Sequence, residues 1–357
     1  MAIRHYWSMA VAAVGFRLVL VLFGGDLHLA SRPEVSTPLT SLRRLAEGYW
    51  LKQASMSPYS GQVDTILIYI ADFIAAMLIR STGRTLQMAR NRSLKSLDLR
   101  KSVNNSVNVS AGDTASLIYL WNPWTIITCV GSCTSPIENL MVVIMLHGAC
   151  SRLAPLAAFG YVMATHLSLY PAILILPVAL LLGYGPDTPP TKVFLQKGLS
   201  ANKIDMSDNG KVGGLQEMFE KTYGFILTVK DLSPNIGVLW YFFAEVFDFF
   251  RSFFLIVFNM NIIFMVLPLA IRLKHRPCFL AFVYTAIVAM LKSYPSCSQG
   301  TGNANFYFAT GLAYTCLQTV LVVETFAVLG FWVDVVDDVS CHVVLYLPHL
   351  YNMDQIA

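Results

Sequence analysis

The stretch from Gly237 to Ile271 constrains this chain most, because it is apolar over almost its whole length. A helix that crosses a bilayer needs about 20 predominantly apolar residues, and a helix in a soluble core is rarely apolar on every face for longer than that. Its three charges, Glu245, Asp248 and Arg251, are three residues apart and therefore share one helical face. The stretch predicts a membrane helix with a single ionisable stripe.

The other faces of this predicted helix are aromatic and include Trp240 and Phe243. A charge in hydrocarbon costs several kcal/mol unless it faces protein or water. We therefore expect Glu245 and Asp248 to face a neighbouring helix, with Arg251 as a partial partner. A catalytic pair of carboxylates is the alternative interpretation, but an arginine on the same face favours an internal ion-pair cluster.

The composition of the whole chain agrees with a membrane protein. Charged residues form 13% and apolar residues 55% of the sequence, against about 25% and 45–50% in soluble domains. The fold class predicted is therefore an all-α, polytopic transmembrane helical bundle. The net charge of +4 comes from cations in short loops, which determine topology and do not indicate a nucleic-acid partner. The seven cysteines form no CxxC motif and no Cys–His pair at metal spacing, so we expect no metal, no cofactor and no disulfide framework.

The apolar segments predict a succession of spans. They lie at about 6–23, 63–80, 116–131, 136–150, 154–183, 277–294 and about 305–333. The first is expected to be a retained signal-anchor helix in which Arg17 faces protein or reaches the interface; a cleaved signal peptide is the alternative, but no small-x-small site follows before Asp26. The second span carries Asp64 and Asp72. Pro171 and Pro177 predict a kinked helix or two half-helices within 154–183.

The polar segments predict how the spans are organised. Residues 185–230 are expected to form a flexible loop, so 1–333 is predicted to be one multi-span membrane domain with a divergent tail at 334–357.

The stretch from Arg80 to Lys101 contains seven Lys or Arg residues, which predicts a cytosolic loop. Sequons at Asn91, Asn104 and Asn108 would require a luminal loop. The count of positive charges decides between the two topologies and favours the cytosolic one, because such sequons arise often by chance in loops rich in asparagine and serine.

Asn122-Pro123 predicts a helix break, and Trp121 and Trp124 beside it suit an interfacial belt. A helix start with aromatic anchors explains the same residues. His147 and His166 are expected to have hydrogen-bonded structural roles. No hydrolytic triad or phosphate-binding loop is visible, so the sequence assigns no catalytic residue.

Asn303 and Asn305, in the stretch GTGNANFYFA, lie at the mouth of an apolar span. Amides in this position can cap a helix. They can equally hydrogen-bond a polar lipid headgroup. The chemistry of the residues leaves both interpretations open.

Eight short stretches occur in order along the chain. They are SPYSG at 57–61, LWNPWTI at 120–126, SPIEN at 135–139, ATHLSLYP at 164–171, YGFIL at 223–227, LSPNIGVLWYFFAEVFDFF at 232–250, LKSYP at 291–295 and GNANFYF at 302–308. Together they resemble the PIG-U family, a family of subunits of the glycosylphosphatidylinositol (GPI) transamidase, and are most similar to its plant members.

This resemblance implies a multi-pass protein of the endoplasmic-reticulum membrane. Its partners would be the other transamidase subunits, the GPI lipid and precursor proteins that carry a C-terminal GPI signal. The resemblance further implies a non-catalytic subunit that helps to recognise the lipid, the catalytic cysteine being expected on another subunit. It also implies a fold similar to that of the polyprenol-phosphate-dependent mannosyltransferases. By match, Asn303 and Asn305 would contribute to the headgroup cavity of the lipid-binding site. Phe306 and Tyr307 follow them into the span, where we expect them to flank the acyl chains.

Two other functions were considered. An active mannosyltransferase of the GPI pathway would need an acidic base or metal ligand in the first luminal loop, where Asp26 and Glu34 stand only as single acids. A secondary transporter would use the half-helices around Pro171 and Pro177, but it lacks the expected inverted repeat. Compared with the family, apolar sequence is missing after Gly61, between Val193 and Tyr223, and after LKSYP, so we expect fewer spans than in full-length members.

Overall fold

The computed structural model describes residues 2–23, 66–96, 110–186, 248–274, 276–291 and 304–331. The secondary-structure elements within these ranges are all helices. They are α1 (Ala2–Phe23), α2 (Ile66–Ser96), α3 (Ala111–Trp121), α4 (Pro123–Val130), α5 (Ser135–Cys150), α6 (Ala154–Leu167), a 3-10 helix (Tyr170–Leu174), α7 (Ile175–Tyr184), α8 (Asp248–Leu273), α9 (Pro277–Leu291) and α10 (Ala304–Phe331). The predicted all-helical character is confirmed for these residues, whereas the predicted loop at 185–230 lies almost wholly, and the tail at 334–357 entirely, outside them.

Two described helices contain stretches that are long and apolar enough to cross a bilayer. These are His5–Phe23 of α1, with 19 residues, and Phe249–Leu273 of α8, with 25 residues. Only 22% of the first stretch and none of the second is buried inside the chain. Their apolar side chains therefore mostly face outward, as they would in hydrocarbon.

Helices α1 and α2 both pack against α3. Tyr6, near the start of α1, contacts Arg80 of α2. Arg17, near the end of α1, contacts Asp72, which precedes Arg80 in α2, so the two helices run antiparallel. Buried alanines of α1 and α2 belong to one apolar cluster with Tyr119 of α3. The fully buried alanines are Ala10, Ala13, Ala75 and Ala76. Because alanine has only a methyl group, it allows neighbouring helices to pack closely.

The predicted break at Asn122-Pro123 separates α3 from α4. Asn122 has an extended backbone, and its side-chain oxygen accepts a hydrogen bond from the backbone N–H of Trp124 at 2.9 Å. Pro123 follows as the first residue of α4, where its missing N–H costs no helical hydrogen bond. The indole N–H of Trp121 donates to the carbonyl of Met9, in the first half of α1, and its ring stacks on Phe16, in the second half. This packing favours the helix-start interpretation, because it places Trp121 beside the middle of α1 and not at one of its ends.

Helices α5 and α6 form a close antiparallel hairpin around two glycines. A Cβ atom added to Gly148 would lie 2.6 Å from the backbone N of Ala157. A Cβ atom added to Gly160 would lie 2.5 Å from the backbone N of Met145. Both distances are too short for van der Waals contact, so a larger residue at either position would push the two helices apart.

The segment that was predicted to be kinked by prolines is interrupted as expected. Helix α6 ends at Leu167, and Pro171 lies in the 3-10 helix that follows. Pro177 lies in the first turn of α7, where its missing N–H would have no helical partner in any case. Gly185, with φ at 92°, ends α7 in a conformation that side-chain-bearing residues rarely adopt.

Helix α9 is the most enclosed of the C-terminal helices that the structure describes. Every residue from Pro277 to Ala289 is buried. The hydroxyl of Tyr284 donates to the carbonyl of Val266, which joins α9 to α8. Phe279 belongs to the same buried cluster as Leu86 of α2 and Met145 of α5. Leu86 of α2 and helix α5 therefore share one apolar core with the C-terminal helices, while α1 belongs to a second buried cluster.

One sequence prediction about α2 is wrong. The second span was expected to end at residue 80, with Arg80 beginning a basic loop, but the helix continues to Ser96. Arg80 is only 7% exposed. It is buried because its Nε donates to Asp113 and its guanidinium lies 3.7 Å from the centroid of the Tyr6 ring. Both partners are distant in sequence, so a local count of charges could not reveal them.

Candidate functional site

A buried ionic cluster joins α1, α2, α3 and α4. Nη2 of Arg17 lies 3.1 Å from Oδ2 of Asp72, and the two side chains are 3% and 2% exposed. The same Nη2 also donates to Oγ1 of Thr125 at 3.2 Å. The charge of Arg17, which was expected to face protein or reach the interface, is therefore neutralised inside the bundle.

The other oxygen of Asp72 has a partner from α3. The hydroxyl of Tyr119 donates to Oδ1 at 2.6 Å. The hydroxyl of Thr125 in turn donates to the backbone carbonyl of Tyr119 at 2.7 Å. Oδ1 of the carboxylate is thus hydrogen-bonded, and Oδ2 is held only by the ion pair with Arg17. This arrangement suits a fixed cross-link between helices, because a general base needs a carboxylate oxygen that can reach substrate.

A second ionic cluster, formed by Arg80, Arg84 and Asp113, lies near the start of α1. Oδ1 of Asp113 is 2.5 Å from Nε of Arg80 and 3.2 Å from Nη2 of Arg84. The guanidinium of Arg80 lies 3.7 Å from the centroid of the Tyr6 ring and 5.2 Å from that of Trp7. Two cations share one carboxylate, so the cluster carries a net positive charge.

Further basic side chains reach the same end of the bundle. Oγ1 of Thr82 lies 2.9 Å from Nδ1 of His147, near the end of α5. The Thr82 hydroxyl donates to the Leu78 carbonyl, so it accepts from His147 and gives this histidine the hydrogen-bonded role expected from sequence. Arg152 follows α5 and donates to the carbonyl of Tyr184. This end, termed the basic end, contains the Arg80–Arg84–Asp113 cluster and Arg152.

The ionisable stripe predicted on the long apolar helix is described only in part. Helix α8 begins at Asp248, and Arg251 lies three residues later on the same face of the helix. Arg251 is half-buried. Trp240, Phe243 and Glu245 lie outside the described residues. The ion-pair cluster on this helix therefore stays a prediction.

The residues predicted to bind lipid lie at one end of α10. Asn305, Phe306 and Tyr307 are in its first turn. Asn303 immediately precedes the helix and lies outside the described residues. Their contact with a headgroup stays a prediction.

The two ionic clusters were not identified as units from the sequence. Isolated charges inside apolar segments, Arg17 and Asp72, were the available signal, since such charges need partners. Their pairing could not be inferred, because the partners come from helices that are far apart in the chain. Asp113 gave a weaker signal, since it stands at the edge of a span.

The chain was compared with known proteins. The family model "PIG-U: GPI transamidase subunit PIG-U" matches residues 11–66 and 62–299. The chain is 30% identical to "GPI-anchor transamidase component PIGU" of Homo sapiens over 351 residues, which cover 88% of this chain and 80% of that protein. It is 27% identical to "GPI transamidase component GAB1" of Saccharomyces cerevisiae over 320 residues, which cover 85% of this chain and 76% of that protein. The residues matched by the family model include both ionic clusters and end shortly before Asn303.

Proposed function

Since this chain belongs to the PIG-U family of GPI transamidase subunits, we propose that it helps to recognise the GPI lipid while another subunit carries the catalytic cysteine. The family match carries the proposal, because it extends over most of the chain. The transamidase attaches a preformed GPI anchor to the C-terminus of a precursor protein. A subunit that presents the lipid needs an apolar path for acyl chains and a polar site for the headgroup.

The membrane placement that this role requires is supported by the outward-facing apolar helices. The stretches His5–Phe23 and Phe249–Leu273 are long enough to span hydrocarbon. Four shorter apolar helices accompany them, among them α5 and α9. We propose that the chain is a multi-pass protein of the endoplasmic-reticulum membrane with a fold similar to that of the polyprenol-phosphate-dependent mannosyltransferases. The core shared by α2, α5 and α9 supports one membrane domain over residues 1–333.

The proposed lipid site lies at the start of α10. Asn303 and Asn305 would supply neutral hydrogen-bonding groups for the headgroup, and Phe306 and Tyr307 would flank the acyl chains. Further along the described part of α10, five large apolar side chains are exposed. They are Leu312, Leu317, Val320, Leu321 and Val323. An acyl chain that follows this surface would leave its headgroup beside the amides at the beginning of the helix.

The test is complementation of cells that lack the endogenous subunit. The chain, carrying an affinity tag, should co-purify from mild detergent with the other transamidase subunits and restore GPI-anchored proteins at the cell surface. A variant of the catalytic subunit without its cysteine should abolish anchoring while the complex still assembles. Release of the tagged chain by alkaline carbonate, or purification without its partners, would refute the proposal.

A further inference from the structure

We propose that the basic end of the bundle binds the headgroup of an acidic phospholipid, with Arg84 as its main contact. This site is separate from the GPI site proposed on α10. The inference depends on the proposed function only for the placement of α1 in a membrane. The occupant inferred is a bulk phospholipid that carries a net negative charge.

The charge balance of the Arg80–Arg84–Asp113 cluster is the first observation. Arg80 and Arg84 approach the same oxygen of Asp113, at 2.5 and 3.2 Å. One carboxylate cannot neutralise two guanidinium groups, so one positive charge remains at this point. Arginine binds phosphate through paired N–H donors, and basic pockets between membrane helices recognise acidic lipid headgroups.

The two arginines differ in how far they reach solvent. Arg80 is buried and held between Asp113 and the ring of Tyr6. The side chain of Arg84, one helical turn later, is 45% exposed. Arg80 therefore fixes the position of Asp113, while nearly half of the Arg84 side chain is open to a ligand.

An exposed apolar face on α1 leads away from this cluster. Trp7 lies beside Arg80 and is 43% exposed. Three exposed apolar side chains follow it on the same face of α1. They are Val11, Leu18 and Leu22. A tryptophan at the polar end of an apolar helix face is typical of the membrane interface. A phospholipid with its phosphate at Arg84 would place an acyl chain along this face.

Other cations accompany the positively charged Arg80–Arg84–Asp113 cluster. Arg152 lies at the same end of the bundle. In the sequence, Arg84 is followed by Arg90, Arg92 and Lys95. Such a concentration of cations attracts acidic lipids within about one Debye length, roughly 8–10 Å at physiological salt. The electrostatic field of these cations raises the concentration of acidic lipids near the bundle, and Arg84 then binds the headgroup of one of them.

The experiment measures lipid retention by the purified full complex. The complex is incubated in detergent with equal amounts of phosphatidylserine and phosphatidylcholine that have identical acyl chains, and retained lipid is quantified by native mass spectrometry. The wild-type chain should retain phosphatidylserine in preference. Arg84→Gln should lower the ratio of phosphatidylserine to phosphatidylcholine about five-fold, the effect of one interfacial cation, and Arg84→Lys should largely restore it.

Arg152→Gln is the matched control, because it removes one exposed cation from the same end but outside the cluster. It should change the ratio much less than Arg84→Gln does. An unchanged ratio in Arg84→Gln, or equal decreases in both variants, would overturn the site. Should Arg84→Gln fail to assemble, the wild-type ratio is measured at low and high salt, and a ratio that does not depend on salt refutes the proposal. Alkaline carbonate extraction tests the membrane placement independently.

Discussion

Arg17 of α1 and Asp72 of α2 form a buried ion pair, with Nη2 and Oδ2 3.1 Å apart. The pair joins the first helix to the rest of the bundle at a depth where water cannot replace a missing partner. The pair also shows in which direction the two helices run. Because α1 and α2 are antiparallel, the start of α1 and the cationic part of α2 lie at the same end of the bundle.

Removing either member of this pair should destabilise the protein strongly. Arg17→Leu or Asp72→Leu leaves an unpaired buried charge, which costs about 3–5 kcal/mol. The double variant Arg17→Leu with Asp72→Leu should recover most of this loss, because no charge remains. Thermal unfolding of the detergent-solubilised complex measures the three variants. Equal stability of the single variants and the wild type would show that the pair is not coupled in the native complex.

Replacing Gly160 should disturb the contact between α5 and α6. The added methyl group of Gly160→Ala would meet the backbone of Met145 at 2.5 Å, and overpacking of this kind costs about 1–3 kcal/mol. The control is Gly183→Ala on α7, where nothing lies within 4 Å of the added Cβ. This control should be neutral or slightly stabilising, because alanine favours helix over glycine. The melting temperatures of the two variants are compared, and equal melting temperatures would contradict the observed spacing of α5 and α6.

Arg251 is predicted to partner the carboxylates of α8. Arg251→Leu should reduce the yield of folded protein in detergent, since unpairing the carboxylates in the bilayer costs on the order of 2–3 kcal/mol. Arg272→Leu, at the exposed end of the same helix, removes an equivalent charge as the control. Size-exclusion profiles and thermal stability give the result. Equal yield and thermal stability of Arg251→Leu and the wild type would refute the predicted ion-pair cluster.

The stretch from Arg80 to Lys101 is predicted to lie on the cytosolic side, because its cations are concentrated there. Asn91, Asn104 and Asn108 should therefore carry no glycan, and endoglycosidase should not change the mobility of the chain. Leu39→Asn creates an Asn-Thr-Ser sequon between α1 and α2. The end of α1 and the start of α2, which flank it in the sequence, lie at the opposite end of the bundle from Arg80, so we expect this sequon to be luminal. This variant should be glycosylated. A mobility shift in the wild-type chain would reverse the predicted topology.

The amides before and within α10 are predicted to contact the GPI headgroup. Asn303→Leu with Asn305→Leu should reduce GPI-anchored protein at the cell surface, since each neutral hydrogen bond contributes about 0.5–1.5 kcal/mol. The replacement of both residues by glutamine keeps the amides and should retain more activity. Complex assembly is checked by co-purification. Wild-type anchoring by the leucine variant would indicate a simple helix cap, and loss of assembly would indicate a subunit interface.

Helix positions were largely predictable, because the signals that define them are local. Pro171 lies in the 3-10 helix between α6 and α7, and Pro177 lies in the first turn of α7. These are positions that tolerate proline, because it lacks the N–H that a helix interior needs. Asn122 and Pro123 give the same local information at the start of α4. The end of α2 was misplaced because a cation was interpreted as the end of a span, whereas Arg80 is buried against a distant acid.

The sequence by itself therefore determined the helical class, the two long apolar helices and the family, all of which depend on residue types and their spacing. Only the tertiary structure decided that Arg17 pairs with Asp72, and that Arg80 and Arg84 share Asp113. The physical reason is that helix formation depends on neighbours within a turn or two, whereas the energy of an ion pair depends on the distance between its atoms in space. Residues separated by 33 positions in the chain, such as Arg80 and Asp113, are brought within hydrogen-bonding distance only when the helices pack.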